Sequence, residues 1–201
     1  MKMNARKSFV LASLAVSLFV GFAAFSLPSK GQTIESLQWG SSVAGLQISL
    51  FAVDSSKGSD PELQLALRNV GNQDITLNLG SMMANGKVQL PDNITLNVSD
   101  AQGRKRKFNF GDKKHSFVAG RLDDYVVPLR AGSSYTLRLT LDQFWCQETN
   151  EVEVRLLPGK NQLSAEFEGG NAKLVNLDMP GIKLMNFWVG KVQSNTLSIE
   201  K

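Results

Sequence analysis

The chain places an apolar residue at every second position through one short run after another. Leu46, Ile48, Leu50 and Ala52 fall on one face, as do Leu63, Leu65 and Leu67, and then Ile75, Leu77 and Leu79. Ile94, Leu96 and Val98 alternate with Thr95, Asn97 and Ser99; Tyr135, Leu137, Leu139 and Leu141 alternate with Thr136, Arg138 and Thr140. Val152, Val154 and Leu156 continue the pattern, then Leu163, Ala165 and Phe167, then Leu197 and Ile199. A period of two belongs to strands, whose successive side chains point to opposite faces, whereas a helix repeats every 3.6 residues. One apolar and one polar face per strand means antiparallel sheets that are wet on one side.

Turn chemistry separates the runs. Lys57-Gly58-Ser59-Asp60-Pro61, Asn85-Gly86, Leu90-Pro91-Asp92-Asn93 and Pro158-Gly159-Lys160-Asn161 each offer Gly for positive φ, Pro for fixed φ, or Asn and Asp for local side-chain bonds. Beyond the first 26 residues no segment of helical length carries a 3.6-residue apolar stripe; only Asp142 to Cys146 suits a single helical turn. Short strands at this spacing predict an all-β fold, an antiparallel β-sandwich of the immunoglobulin-like kind.

Residues 1–26 depart from the pattern. Lys2, Arg6 and Lys7 precede an apolar run from Ser8 to Phe25, and Ala24-Phe25-Ser26 puts small residues at −3 and −1 of a cut before Leu27. That order is a secretory signal. The alternative is a retained anchor, since Phe9 to Ser26 has the minimum length of a spanning helix. The expected organisation is a signal peptide at 1–26, an N-terminal segment at 27–36 and a single sandwich domain at 37–201. The expected location is periplasmic or extracellular, with membrane attachment only if the leader stays. Loss of the three leader cations takes the formal charge from +4 to +1. The basic balance therefore belongs to the leader and argues against a nucleic-acid partner.

Catalytic and metal chemistry have little to work with. His115 and Cys146 are the only residues of their kinds, so no intramolecular disulfide forms and a zinc site would lack ligands. His115 lies in a polar turn between lysines and serine, and no Gly-x-Ser-x-Gly elbow is present. Cys146 follows Phe144-Trp145 and reads as a small buried hydrophobe. Asp54 to Glu62 has oxygen ligands at alternate positions, but Lys57 and Pro61 interrupt what would be a calcium loop. Asp123 and Asp124 are adjacent, so in a strand they face opposite ways. No catalytic residue, metal or cofactor is expected.

One stretch stands out by charge. Arg104, Lys105, Arg106, Lys107, Lys113, Lys114 and Arg121 put seven cations into 18 residues that contain a single acid, Asp112. Such a patch could meet an anionic surface. The plainer expectation is that Phe108 and Phe110 fill the core while the cations coat an edge hairpin and oppose strand-to-strand aggregation. Trp39 and Trp145 fall near strand starts or corners, and Trp188 lies in the apolar Leu184 to Val189. A tryptophan platform would suit carbohydrate, whereas core burial is the plainer expectation.

Trp39-Gly40, Val43-Ala44-Gly45-Leu46-Gln47-Ile48 and Leu65-Ala66-Leu67-Arg68-Asn69-Val70-Gly71 resemble the opening of exported bacterial immunoglobulin-like domains. Ile94 to Arg104 looks like the hairpin that follows, Leu129 to Leu137 like the later turn, and Gly190 to Leu197 like the final strand. The resemblance implies a sandwich in which Leu-Arg-Asn-Val-Gly runs into a tight turn and Tyr135 bonds backbone as a tyrosine corner. The intracellular proteinase inhibitor family is similar at the level of the fold, and none of its inhibitory residues maps onto this chain. Fold and function transfer separately. The expected role is binding or structural, non-catalytic, with a protein or polysaccharide of the cell envelope as partner. The alternatives are a protease inhibitor presenting a surface loop, with a protease as partner, and a carbohydrate-binding or enzyme accessory module.

Overall fold

The computed structural model describes residues 36–53, 61–83, 86–111, 120–146, 148–149, 151, 153–174 and 180–201. The alternating runs become β1 (Leu46–Val53), β2 (Glu62–Asn69), β3 (Ile75–Met83), β5 (Ile94–Ser99), β8 (Ser134–Leu139), β10 (Lys160–Gly169) and β12 (Leu197–Glu200). Between them lie β4 (Val88–Leu90), β6 (Lys105–Phe110), β7 (Asp123–Leu129), β9 (Phe144–Trp145) and β11 (Gly190–Gln193). The helical turn anticipated around residue 142 is a 3-10 turn over Leu141–Gln143, and a second spans Pro180–Leu184.

Every strand pair is antiparallel. The described residues form three sheets: β1-β2-β8, β4-β3-β7, and a six-stranded sheet ordered β11-β10-β5-β6-β9 with β12 also on β10. Their inner faces share one core, which includes Leu50 and Leu65 of the first sheet, Leu77 and Val127 of the second, and Leu96, Phe108 and Phe167 of the third. Leu65, Leu96, Leu137, Val154 and Phe167 are all buried there, as the alternation requires. The architecture is all-β and of the β-sandwich kind.

Local chemistry fixes the joints between sheets. β12 pairs with Lys160–Leu163 of β10 and β11 with Glu166–Gly169, so the two strands share one edge of β10. Asn195, in the break between them, turns its amide onto the backbone of Leu50 and ties β1 to that edge. In the turn after β2, buried Asn69 accepts from the Gly71 N–H and donates to the carbonyls of Gln73 and Leu129. This is the tight turn expected of Leu-Arg-Asn-Val-Gly, and it also ties down the end of β7. Thr76 spends its N–H on Asn186 and its carbonyl on Trp188. Its β7 partner, Pro128, therefore needs no N–H in the ladder, and proline is tolerated at this sheet edge.

A bulge between Asn78 and Gly80 shifts the β3–β7 register. Gly80 has φ +146°, and a Cβ there would lie 2.2 Å from the Leu90 carbonyl oxygen. Only glycine lets the chain after β4 cross this closely. Beside the bulge, buried Asn78 donates to Asp124 at 2.8 Å, and Asp124 also accepts from the backbone N–H groups of Lys173 and Leu174. Asp123 instead accepts from Arg121. The two adjacent acids thus serve different partners, as opposite-facing strand residues should.

Two expectations are corrected. Among the described residues of the run from Glu151 to Leu156 none lies in a strand: Glu151 makes one bridge to Cys146, Val154 donates to Leu141, and Val152 lies outside the described residues. Val154 and Leu156 are nonetheless buried. Alternation reports which side chains seek the core, whereas a strand also needs a neighbour for its backbone. Tyr135 makes no tyrosine corner among the described residues. Its hydroxyl meets that of Tyr125 at 2.6 Å, linking β8 to β7 across two sheets. Burial, followed by the contact with Tyr135, pushes the Tyr125 phenol well above its ordinary value of 10.0.

Candidate functional site

Five of the seven cations of the basic stretch lie among the described residues. Alternation along β6 sends Lys105 and Lys107 outward and Arg106 inward, because Arg106 pairs with Val98 and Phe108 with Leu96. Only 13% of the Arg106 side chain is exposed; its guanidinium contacts Glu151 at 2.5 Å and lies over the Phe108 ring. Arg106 is therefore a packed residue rather than part of a cationic coat. Arg104 pairs with Asp100 at 2.8 Å, and Lys107 with Glu166 at 2.9 Å. Arg121 lies just before β7, in another sheet, and pairs with Asp123. Four of the seven cations thus face acids that the local count leaves out. Lys113 and Lys114 lie outside the described residues. Phe108 and Phe110 are buried as expected, on the core side of β6, which lies between β5 and the two-residue β9.

The polar surface that the fold builds is the outer face of the six-stranded sheet. Its inner face takes Ile94, Leu96 and Val98 of β5 and Leu163, Ala165 and Phe167 of β10. The same alternation sends Thr95, Asn97, Ser99, Gln162, Ser164 and Glu166 outward. Strand register then lines up a row of residues from five strands: Trp145 beside Asn109, Asn109 beside Thr95, Thr95 beside Glu166, and Glu166 beside Gln193. At about 4.8 Å per strand the row is about 19 Å long. Next to it lies a recess of about 490 Å³ lined by Asn97, Ser99, Lys105, Gln162, Ser164 and Gln193, among others.

Glu166 is the electrostatic centre of this face. It is 8% exposed, takes the Lys107 ammonium at 2.9 Å and the Lys191 ammonium at 3.5 Å, and accepts from the Gln193 amide. Burial alone would raise its pKa. The hydrogen bonds from Lys107 and Gln193 and the charges of Lys107 and Lys191 outweigh that and hold the carboxyl below its ordinary value. Lys191 also pairs with Glu168 at 3.0 Å. The centre of the face is thus internally neutralised and rich in amides and hydroxyls.

Trp145 closes one end of the row, half-buried on the outward side. Its indole rests against Gly111, where a Cβ would come within 2.4 Å of the ring. The other tryptophans have structural surroundings. Trp188 is 3% exposed, stacks on Phe167 and donates from its indole nitrogen to the Val43 carbonyl. Trp39 lies under the Arg68 guanidinium at 4.3 Å.

The remaining candidates can be placed as well. Cys146 is fully buried, a small hydrophobe as expected. His115 and residues 54–60 of the calcium-like stretch lie outside the described residues. Glu62, the last residue of that stretch, is ion-paired with Arg138. Among the described residues no group of three or more His, Cys, Asp or Glu side chains is placed to hold a metal. No described helix is long and apolar enough to cross a membrane, and the leader lies outside the described residues. The outer-face row was missed by sequence reasoning; its one local signal is the polar half of each alternating run. No family model matches the chain, and no curated protein matches its sequence.

Proposed function

We propose that the chain is an exported, non-catalytic domain of the immunoglobulin-like type that binds a component of the cell envelope through the outer face of its six-stranded sheet. The observation that carries this reading is the row from Trp145 to Gln193. A sheet face rich in amides and hydroxyls, with its charges paired internally, suits reversible polar recognition better than packing against another apolar layer. Burial of Cys146 supports the non-catalytic part, because the one thiol offers no accessible nucleophile. The leader pattern of residues 1–26 supports export.

The test is co-sedimentation of the mature chain with purified cell envelopes, comparing the native protein with the double variant Asn97→Arg, Ser164→Arg. Both positions lie on the recess and point away from the core. The expected result is retention of the native protein and loss of retention in a variant that is still folded at the assay temperature, although its two new cations face each other across β5 and β10. Equal retention of both would refute the assignment of this face.

A further inference from the structure

We propose that the ligand of this face is a neutral oligosaccharide, laid along the row from Trp145 to Gln193 with its hydroxyls over the recess. The inference rests on the reading that the outer face of the six-stranded sheet is the binding surface. It adds the chemical class of what is bound.

Four observations point to that class. The recess presents the amides of Asn97, Gln162 and Gln193 and the hydroxyls of Ser99 and Ser164, beside the charged Lys105, Arg106, Lys107, Glu148 and Glu166. Amides and hydroxyls each offer a donor and an acceptor, as does every sugar hydroxyl, so the two surfaces can satisfy each other hydrogen bond for hydrogen bond. Secondly, the recess of about 490 Å³ falls within the roughly 300–1,000 Å³ of ordinary ligand sites. Thirdly, the charges at the centre are already spent. Lys107 and Lys191 are held by Glu166, with Glu168 also on Lys191. A polycation would meet the two half-exposed ammonium groups, and a polyanion would have to compete with Glu166 for them. Finally, the row ends on an indole backed by the bare Gly111 backbone. A half-buried ring held in this way combines an apolar surface with a polar surround, which is the match for a sugar ring with its C–H face and hydroxyl rim.

Other partner classes fit less well. A peptide strand adds through the free backbone groups of a sheet edge, whereas this surface offers side chains on a sheet face. A nucleic acid needs several free cations, and here Arg106, Lys107 and Lys191 are already held by acids.

The experiment uses the full mature chain with cellohexaose, xylohexaose, mannohexaose and chitohexaose as neutral probes and hyaluronan as the anionic one. Binding is followed by the indole N–H resonance of Trp145 and by titration calorimetry, at low and high salt. The expected result is saturable binding of at least one neutral probe that shifts the Trp145 resonance and is insensitive to salt. Trp145→Ala and Asn97→Ala should each weaken it by about tenfold or more, in line with the loss of one well-made contact. Asn97→Ala should keep the native unfolding midpoint, and Trp145→Ala, which also loses its packing on Gly111, is compared at a temperature where it is fully folded. Three outcomes overturn the inference: no neutral probe binding at millimolar concentration, binding unchanged in both variants, or binding of hyaluronan alone that disappears at high salt. The envelope experiment separates this failure from a failure of the underlying reading. If the Asn97→Arg, Ser164→Arg variant loses envelope retention while no neutral saccharide binds, the face remains the binding surface and the saccharide assignment falls. If that variant keeps envelope retention, the face itself is wrong.

Discussion

The side-chain amide of Asn195 closes both hydrogen bonds on the backbone of Leu50, accepting from its N–H at 2.8 Å and donating to its carbonyl at 3.0 Å, across 145 residues of sequence. The amide acts as a one-residue strand partner at the edge of β1. Asn195→Ala leaves the N–H and carbonyl of a fully buried residue unpaired. Its cost should be about 1–3 kcal/mol, read from the urea midpoint at constant slope.

Leu65 is fully buried at the centre of the β1-β2-β8 sheet. Leu65→Ala should destabilise the domain by about 2–5 kcal/mol, the combined loss of transfer energy and the cavity left behind. A neutral effect in chemical denaturation would remove Leu65 from the core.

Gly80→Ala meets two obstacles at once, a φ of +146° and a Cβ 2.2 Å from the Leu90 carbonyl oxygen. The expected loss exceeds about 1 kcal/mol, because the native backbone is incompatible with the new side chain. Gly132→Ala makes a useful comparison: its φ is +76°, but nothing lies within 4 Å of the added Cβ. A loss at Gly80 no larger than at Gly132 would show that the close approach to Leu90 has no energetic weight.

Glu166 links stability to pH. Its carboxyl is held below the ordinary value of 4.5 in the folded chain. It therefore contributes stability that is fully present above 4.5 and is lost as the pH falls through the lower folded value. Glu166→Gln should lower stability near neutral pH and flatten its acid-side decline. Urea midpoints from neutral pH to about pH 3 check the sign. A variant with an unchanged acid-side slope would contradict the pairing with Lys107 and Lys191.

The basic start, apolar run and Ala24-Phe25-Ser26 predict a mature chain beginning at or near Leu27. N-terminal sequencing of the protein recovered from the periplasm or medium checks this. An intact Met1 on a membrane-bound form would favour the anchor.

Much of the fold was legible because alternation is a local signal. β1, β2, β3, β5, β8, β10 and β12 follow from it, and so does the burial of Phe108 and Phe110 on the core side of β6. β7 hid behind its two aspartates and Pro128, since Asp124 is buried against the distant Asn78 and the strand shows no simple polar face. Glu151 to Leu156 misled for the opposite reason, keeping the period without a neighbouring strand. The candidate site was less legible. Arg106 and Glu151 stand 45 residues apart, and Lys107 and Glu166 stand 59 apart, so a local charge count saw cations without their acids. The row from Trp145 to Gln193 depends on the register of five strands. Register is set by tertiary pairing and cannot be read from any one run.

The most direct test of the binding face is a chemical-shift map of the isotope-labelled mature chain on addition of solubilised envelope material. The account predicts perturbations concentrated on Asn97, Asn109, Ser164, Gln193 and the Trp145 indole N–H, with β7 and β8 unmoved. Perturbations confined to β7, β8 or the turn between them, with the Trp145–Gln193 row silent, would contradict it.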